Sequence, residues 1–215
     1  FAVRSLSFEG EFKQVDQQVL TAAVMDSVRG NFFLLNLDAI RERARRVPWV
    51  HEVTVRRHWP DGVHIRFSEQ QLVARWGKSG WVNAQGEYVD LQGLEGPAGL
   101  PLLAGPEGMQ LRMLQHLRRL DAVLAPVDLQ ISMLTLTDRH SWSIVLHNGL
   151  ALTLGREEPG PKVERFARMY PRAIAAQVSR VKRVDLRYTN GFSVEWANRI
   201  APRAAEIMAT GLNEG

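Results

Sequence analysis

The sequence contains no cysteine, which excludes disulfide staples, cysteine-ligated metal and a thiol nucleophile together. That absence suits an exported chain that avoids stray oxidation as well as a cytosolic one, so it leaves the compartment open. Apolar runs stay far below the roughly 20 residues that a membrane helix needs, and the start, Phe1-Ala2-Val3, has neither Met nor a signal-peptide pattern. It reads as a boundary inside a longer protein. His-Glu-x-x-His, Gly-x-Ser-x-Gly and Gly-x-x-x-x-Gly-Lys are all missing, so zinc hydrolysis, serine hydrolysis and nucleotide chemistry have no visible seat, and no cofactor is expected. His58 and His64 flank a turn and can share one face of a hairpin, but zinc asks for three or four ligands and no third lies nearby. Glu157 and Glu158 precede a helix, where negative charge meets the helix dipole.

What is present points to a folded, two-core protein. The 215 residues are 45% hydrophobic and 23% charged, enough for one large core or two ordinary ones. A formal net charge of +4 favours acidic partners or anionic lipid but is too modest to imply nucleic acid. The densest basic run, Arg41 to Arg46, reads as the solvated face of an amphipathic helix or as a patch facing phospholipid headgroups.

The first 70 residues read β-α-α-β-β. Val3 to Phe8 is a strand. Helical spacing then puts Val15, Val19 and Ala23 on one row and Leu20, Val24 and Val28 on the next, with Gly30 as the stop. Asn36 caps a second helix burying Leu37, Ile40, Ala44 and Val47 until Pro48 ends it. Val53 and Val55, then Val63, Ile65 and Phe67, alternate with polar residues across the Pro60-Asp61-Gly62 turn. One sheet face is left for the helices to cover.

From residue 71 short strands dominate: Leu72 to Trp76, Trp81 to Asn83 and Glu87 to Leu91 as a meander, then a proline-bearing surface loop from Gly93 to Gly108. A helix carrying Met113, Leu117, Leu120 and Leu124 follows. Strands resume at Leu129 to Thr137, Trp142 to His147 and Leu150 to Leu154, the last pair joined by Asn148-Gly149 in an antiparallel hairpin. A helix from about Lys162 to Gln177, kinked at Pro171, precedes a closing hairpin of Val181 to Tyr188 and Phe192 to Trp196. The expected class is α+β, with the β-α-α-β-β unit at 1–70, an antiparallel β-sheet domain with flanking helices at 71–198 and a loosely ordered tail at 199–215.

These elements carry a series of words: Val47-Pro48-Trp49-Val50, then Val53-Thr54-Val55-Arg56-Arg57-His58-Trp59-Pro60-Asp61, then Val73-Ala74-Arg75-Trp76. Further on come Arg139-His140-Ser141-Trp142, Gly155-Arg156-Glu157, Arg165-Phe166-Ala167-Arg168-Met169-Tyr170-Pro171 and Asp185-Leu186-Arg187-Tyr188 before Asn190-Gly191. In this order and spacing, over nearly the whole chain, they resemble the FtsQ/DivIB family of bacterial cell-division proteins, in which a POTRA domain runs into a β domain. The resemblance implies a single-pass inner-membrane protein whose membrane helix precedes this periplasmic region. It implies a non-enzymatic divisome scaffold that binds FtsB, and through it FtsL, and helps to control septal peptidoglycan synthesis. Contacts such as that with FtsK would fall to the POTRA domain. The partner-binding positions that carry over are Arg139, Arg187, Tyr188, Asn190, Gly191 and Trp196; Phe192 and Val194 of the last strand complete the expected surface, although Phe192 and Glu195 stand where the family has smaller residues. If the last strand is a sheet edge, its free backbone groups can accept a strand from FtsB, with the arginines reaching carboxylates and the aromatics supplying contact area. The alternative is a POTRA-containing part of an outer-membrane assembly or secretion system, against which stands the lack of a tandem POTRA repeat or of a barrel's strand series.

Overall fold

A computed structural model describes residues 2–189 and 191–197. Asn190, expected at the partner-binding hairpin, and the tail expected to be loosely ordered from residue 199 both lie outside the described residues.

The amino-terminal region folds as the spacing predicts. Strand β1 (Ser5–Glu9) leads to helices α1 (Gln17–Val28) and α2 (Leu37–Arg45), then to strands β2 (Val50–His58) and β3 (Gly62–Glu69). The sheet order is β1-β3-β2, with β1 parallel and β2 antiparallel to the central strand. Both helices begin on side-chain caps: Asp16 accepts from the Gln18 and Val19 amides, and Asn36 accepts from the Ala39 amide at 3.0 Å. Leu20, Val24, Val28, Ile40 and Ala44 pack on Val53, Val63, Ile65 and Phe67. In the row Val15, Val19 and Ala23, Val15 is buried and Ala23 packs partly buried on the core, but the middle residue turns outward. Val19 is exposed, because a helix laid on a three-stranded sheet buries one stripe and turns the next to solvent.

The remainder forms one nine-stranded sheet from strands β4 (Leu72–Trp76), β5 (Gly80–Asn83), β6 (Tyr88–Val89), β7 (Leu102–Ala104), β8 (Ile131–Leu136), β9 (Trp142–Leu146), β10 (Ala151–Gly155), β11 (Val181–Asp185) and β12 (Ser193–Trp196). Their order is β12-β11-β10-β9-β8-β7-β4-β5-β6. Helices α3 (Gln110–Leu124) and α4 (Pro159–Ala173) connect β7 to β8 and β10 to β11.

Three expectations change here. The sheet is mixed rather than antiparallel throughout, since β4/β7, β7/β8 and β10/β11 are parallel pairs. Parallel neighbours need a crossover, and α3 and α4 supply two of the three. The segment Gly93 to Gly108 is not all surface loop, because Leu102-Leu103-Ala104 is a strand near the middle of the sheet, paired on both sides. Leu103 is fully buried while Leu102 and Ala104, on the other face, are partly exposed; three apolar residues between Pro101 and Gly105 are too few to show alternation. Helix α4 also stops at Ala173, two residues after Pro171, and Ala175–Arg180 continues as 3-10 turns; the helix ends where a kink was expected.

The core of the large sheet centres on Leu103, Met113, Leu120, Leu134, Ile144, Leu154 and Phe166. Val89 and Leu91, by contrast, side with the amino-terminal core, where Trp81 also packs. The β6 edge is thereby pressed against the first sheet's core. His116 of α3 is buried against Trp142, with ring centroids 4.7 Å apart and Nδ1 3.5 Å from Glu158. Burial pulls its pKa below the ordinary 6.5, while Glu158 opposes the shift and Arg112 and Arg119 add to it.

Two outcomes are expected. Replacing the fully buried Leu103 by Ala should lower the urea-unfolding free energy by about 3 kcal/mol, against under about 0.5 kcal/mol for a side chain on a surface loop. For His116 the sign follows from its depressed folded pKa: the folded chain takes up this proton less readily than the unfolded one. Its stabilising contribution is full above the unfolded pKa of about 6.5 and declines as pH falls through it towards the folded value. Urea midpoints between about pH 7.5 and pH 5.5 should therefore fall in the parent chain and flatten in His116→Gln, and parallel curves would contradict this.

Candidate functional site

The closing hairpin sits at one end of the strand order, and its local structure begins with β11. Val181 and Val184 are buried in the large core, while Lys182 and Arg183 between them are exposed. β12 pairs antiparallel with β11 through Arg183–Glu195, Val184–Val194 and Asp185–Ser193. The register slips between Val181 and Arg183, an irregularity of the kind that bends an edge strand. Among the described residues β12 has no second neighbour.

Side chains hold the pair in place. Glu195 reaches Lys182 at 3.0 Å and Arg183 at 3.8 Å, and the Lys182 hydrogen bond draws its carboxyl below the usual range. Phe192 and Val194 pack partly buried against the large core. On α4, Arg165 donates through its guanidinium to the carbonyls of Leu186, at 3.3 Å, Tyr188, at 2.7 Å, and Thr189. One side chain thus clasps three carbonyls of the β11–β12 connection.

The predicted site residues divide into three groups. Tyr188, in the β11–β12 connection, and Trp196, the last residue of β12, are 55% and 49% exposed. They are not core aromatics. Arg187 is exposed, but its guanidinium already meets Asp185 in a fork, with Nε 3.0 Å from both carboxylate oxygens and Nη2 2.6 Å from Oδ2. That bond holds the Asp185 carboxyl below its ordinary range, against a smaller opposing effect of burial. Arg187 also lies over Gly155, where an added Cβ would come 3.1 Å from its Cγ. Gly191 is half-buried beside the connection, and Asn190 is outside the described residues.

Arg139 stands apart. It is exposed on the turn between β8 and β9, at the same end of the sheet as the β11–β12 connection but three strands from β12. At about 4.8 Å per strand that is roughly 14 Å, so Arg139 reaches a guest only where the guest folds over the end of the sheet. Arg165 is the residue that sequence reasoning did not assign to the site. Its signal was present in the Arg165-Phe166 word on α4, but nothing in helical spacing says which carbonyls a guanidinium will find.

Other backbone edges exist. β1 and β2 bound the small sheet, and β6 bounds the large one on its far side. β6 is two residues long and abuts the first core. The outward residues of β2 are Glu52, Thr54, Arg56 and Arg57, charged decoration of the kind that discourages pairing. Only β12 is flanked by exposed aromatics at both ends among the described residues. No group of three or more potential metal ligands occurs among the described residues; His64 is engaged by Ser7 and Glu9, each at 2.9 Å. No described helix is long and apolar enough to cross a membrane.

Known proteins share both parts of this architecture. The family profile "POTRA domain, FtsQ-type" matches residues 1–70, and "Cell division protein FtsQ/DivIB, C-terminal" matches residues 74–187. Cell division protein FtsQ of Coxiella burnetii is 34% identical over 175 residues, covering 81% of this chain and 72% of that protein. FtsQ of Methylomonas methanica is 32% identical over 194 residues, or 90% and 78% of the two chains. FtsQ of Neisseria meningitidis serogroup B is 33% identical over 196 residues, or 91% and 83%.

The Arg165 clasp yields its own test. In Arg165→Ala the amides of residues 186–189 and 191–192 should exchange about tenfold faster or more, while the buried amides of α3 and β9 keep their protection. Unchanged exchange at the connection would mean that packing alone orders it.

Proposed function

As the chain belongs to the FtsQ/DivIB family of cell-division proteins, we propose that it is a non-enzymatic scaffold of the divisome whose guest, the periplasmic segment of FtsB, adds a strand to β12. FtsL joins through FtsB, and the assembly helps to control septal peptidoglycan synthesis. In this reading the protein is anchored in the inner membrane by a single helix preceding residue 1, and the region described stands in the periplasm at the division septum.

The observation that carries the reading is an edge strand with Trp196 exposed at its far end and Tyr188 exposed in the connection that leads into it. Physically, the outer N–H and C=O groups of β12 supply a ladder of hydrogen bonds to any extended chain, which gives affinity without sequence preference. The aromatics supply specificity and most of the energy, as rigid amphipathic side chains do at interface hot spots. Electrostatics tune the encounter. Lys182, Arg183 and Arg187 are exposed beside the edge, and Arg187 can shift from Asp185 to a guest carboxylate only by giving up a forked ion pair. Its net contribution is therefore an exchange of partners, smaller than a new salt bridge would suggest.

Tyr188→Ala and Trp196→Ala should each stay folded by circular dichroism, since half of each side chain is in solvent. Affinity for the periplasmic segment of FtsB, measured by calorimetry, should fall by about 2 kcal/mol or more for Tyr188→Ala, roughly thirtyfold. Unchanged affinity in both variants would overturn the assignment of this surface.

A further inference from the structure

The three most exposed large hydrophobic side chains among the described residues are not at the β12 edge. They are Leu34 at 81%, Trp59 at 78% and Phe33 at 59%. All three belong to turns at one end of the small sheet. Phe33 and Leu34 lie on the 3-10 turn Phe32–Leu34 between α1 and α2, and Trp59 lies in the β2–β3 turn.

Backbone and side-chain bonds tie these turns together. Arg57, two residues before Trp59, donates from Nε to the Phe32 carbonyl at 3.1 Å and from Nη2 to the Leu35 carbonyl at 2.8 Å, so the apolar turn is braced on β2. The chain enters the fold at the same end: Ala2 bridges to Asn31, and the Arg4 amide donates to the Asp61 carbonyl at 2.8 Å. Arg4 and Arg29 stand beside it with 82% and 75% of their side chains in solvent, within ion-pair reach of Asp61 at 3.9 Å and Asp26 at 3.6 Å. The basic run Arg41 to Arg46 belongs to the opposite end. Helix α2 runs away from Leu37, and the Arg46 carbonyl accepts from Gln92 of the second unit at 3.0 Å.

We infer that this end of the small domain is a membrane-contact surface, in which Trp59, Leu34 and Phe33 enter the headgroup region of a phospholipid bilayer. The inference rests on the anchored reading of the proposed function, which sets a membrane helix just before residue 1 and hence this end towards the bilayer. Three features favour lipid over a protein guest. The side chains crown two convex turns, and a standard protein interface draws roughly 20–30 residues from each partner. Trp with Leu and Phe beside exposed arginines is the composition that settles at a membrane interface. The tether keeps the local lipid concentration high, so a contact too weak to recruit a free protein still forms in an anchored one.

The consequence is orientation. With one end of the small sheet seated on the bilayer, the domain no longer swings freely on its tether, and the rest of the chain projects in a restricted direction.

The absence of cysteine makes a clean test possible. Leu34→Cys, labelled with an environment-sensitive nitrobenzoxadiazole dye, is tethered by an amino-terminal oligohistidine tag to vesicles of phosphatidylethanolamine and phosphatidylglycerol containing chelator lipid. The dye should brighten several-fold, shift to the blue and be quenched by headgroup-proximal spin-labelled lipid; a matching label at Tyr188→Cys should not respond. Adding Trp59→Ser should reduce the Leu34 response while circular dichroism shows an intact fold. A Leu34 dye that behaves on vesicles as it does in solution overturns the inference, as does a response that appears only when the FtsB segment is added. Because the tether is artificial, this outcome is separable from failure of the anchored reading, which fractionation of the full-length protein decides.

Discussion

A sheet that does not close has two last strands, and each must leave a row of backbone N–H and C=O groups without a strand partner. In this chain the two ends of the nine-stranded sheet meet that constraint differently. At one end β6 is two residues long and leans on the core of the small domain, where Val89 and Leu91 are buried. At the other, β12 borders only β11 among the described residues, and its flanking aromatics are in solvent. The asymmetry is what gives the molecule a direction: one end of the large sheet serves the fold, and the other is open to a second chain.

An edge useful for binding must also keep its shape. Here the crossover helix α4 both makes the β10–β11 pairing possible and, through Arg165, fixes the carbonyls of the turn that leads into β12. Phe192 and Val194 tether the inner side of the hairpin to the core. Under the proposed strand addition, a guest would meet a prepared ladder and have little ordering cost to overcome beyond its own. If the opposite end of the molecule rests on lipid through Trp59 and Leu34, both ends of the protein are engaged, one with the bilayer and one with a protein partner.

Much of this was legible in the residues. The cap at Asn36, the alternation in β2 and β3, and the Asn148-Gly149 hairpin all encode local structure directly, and the structure follows them. Leu102-Leu103-Ala104 was not legible, because three apolar residues framed by proline and glycine are too few to show the alternation that marks a strand. The mixed character of the sheet was hidden for the same reason, since strand direction is decided by where the crossovers land. At the site, Tyr188 and Trp196 are identifiable from the closing hairpin, but their exposure depends on β12 having no further neighbour. The Asp185–Arg187 fork spans two residues and still escapes pattern reading, which sees two charges and cannot tell whether they turn to each other or outward.

The central claim is that β12 accepts a strand, and hydrogen exchange reads it most directly. On adding the periplasmic segment of FtsB, the amides of residues 193–196 that face away from β11 should become protected, and a matching stretch of the guest should be protected with them. Tight binding that leaves those amides exchanging at their free rate, or that protects the β2 edge instead, would contradict the account.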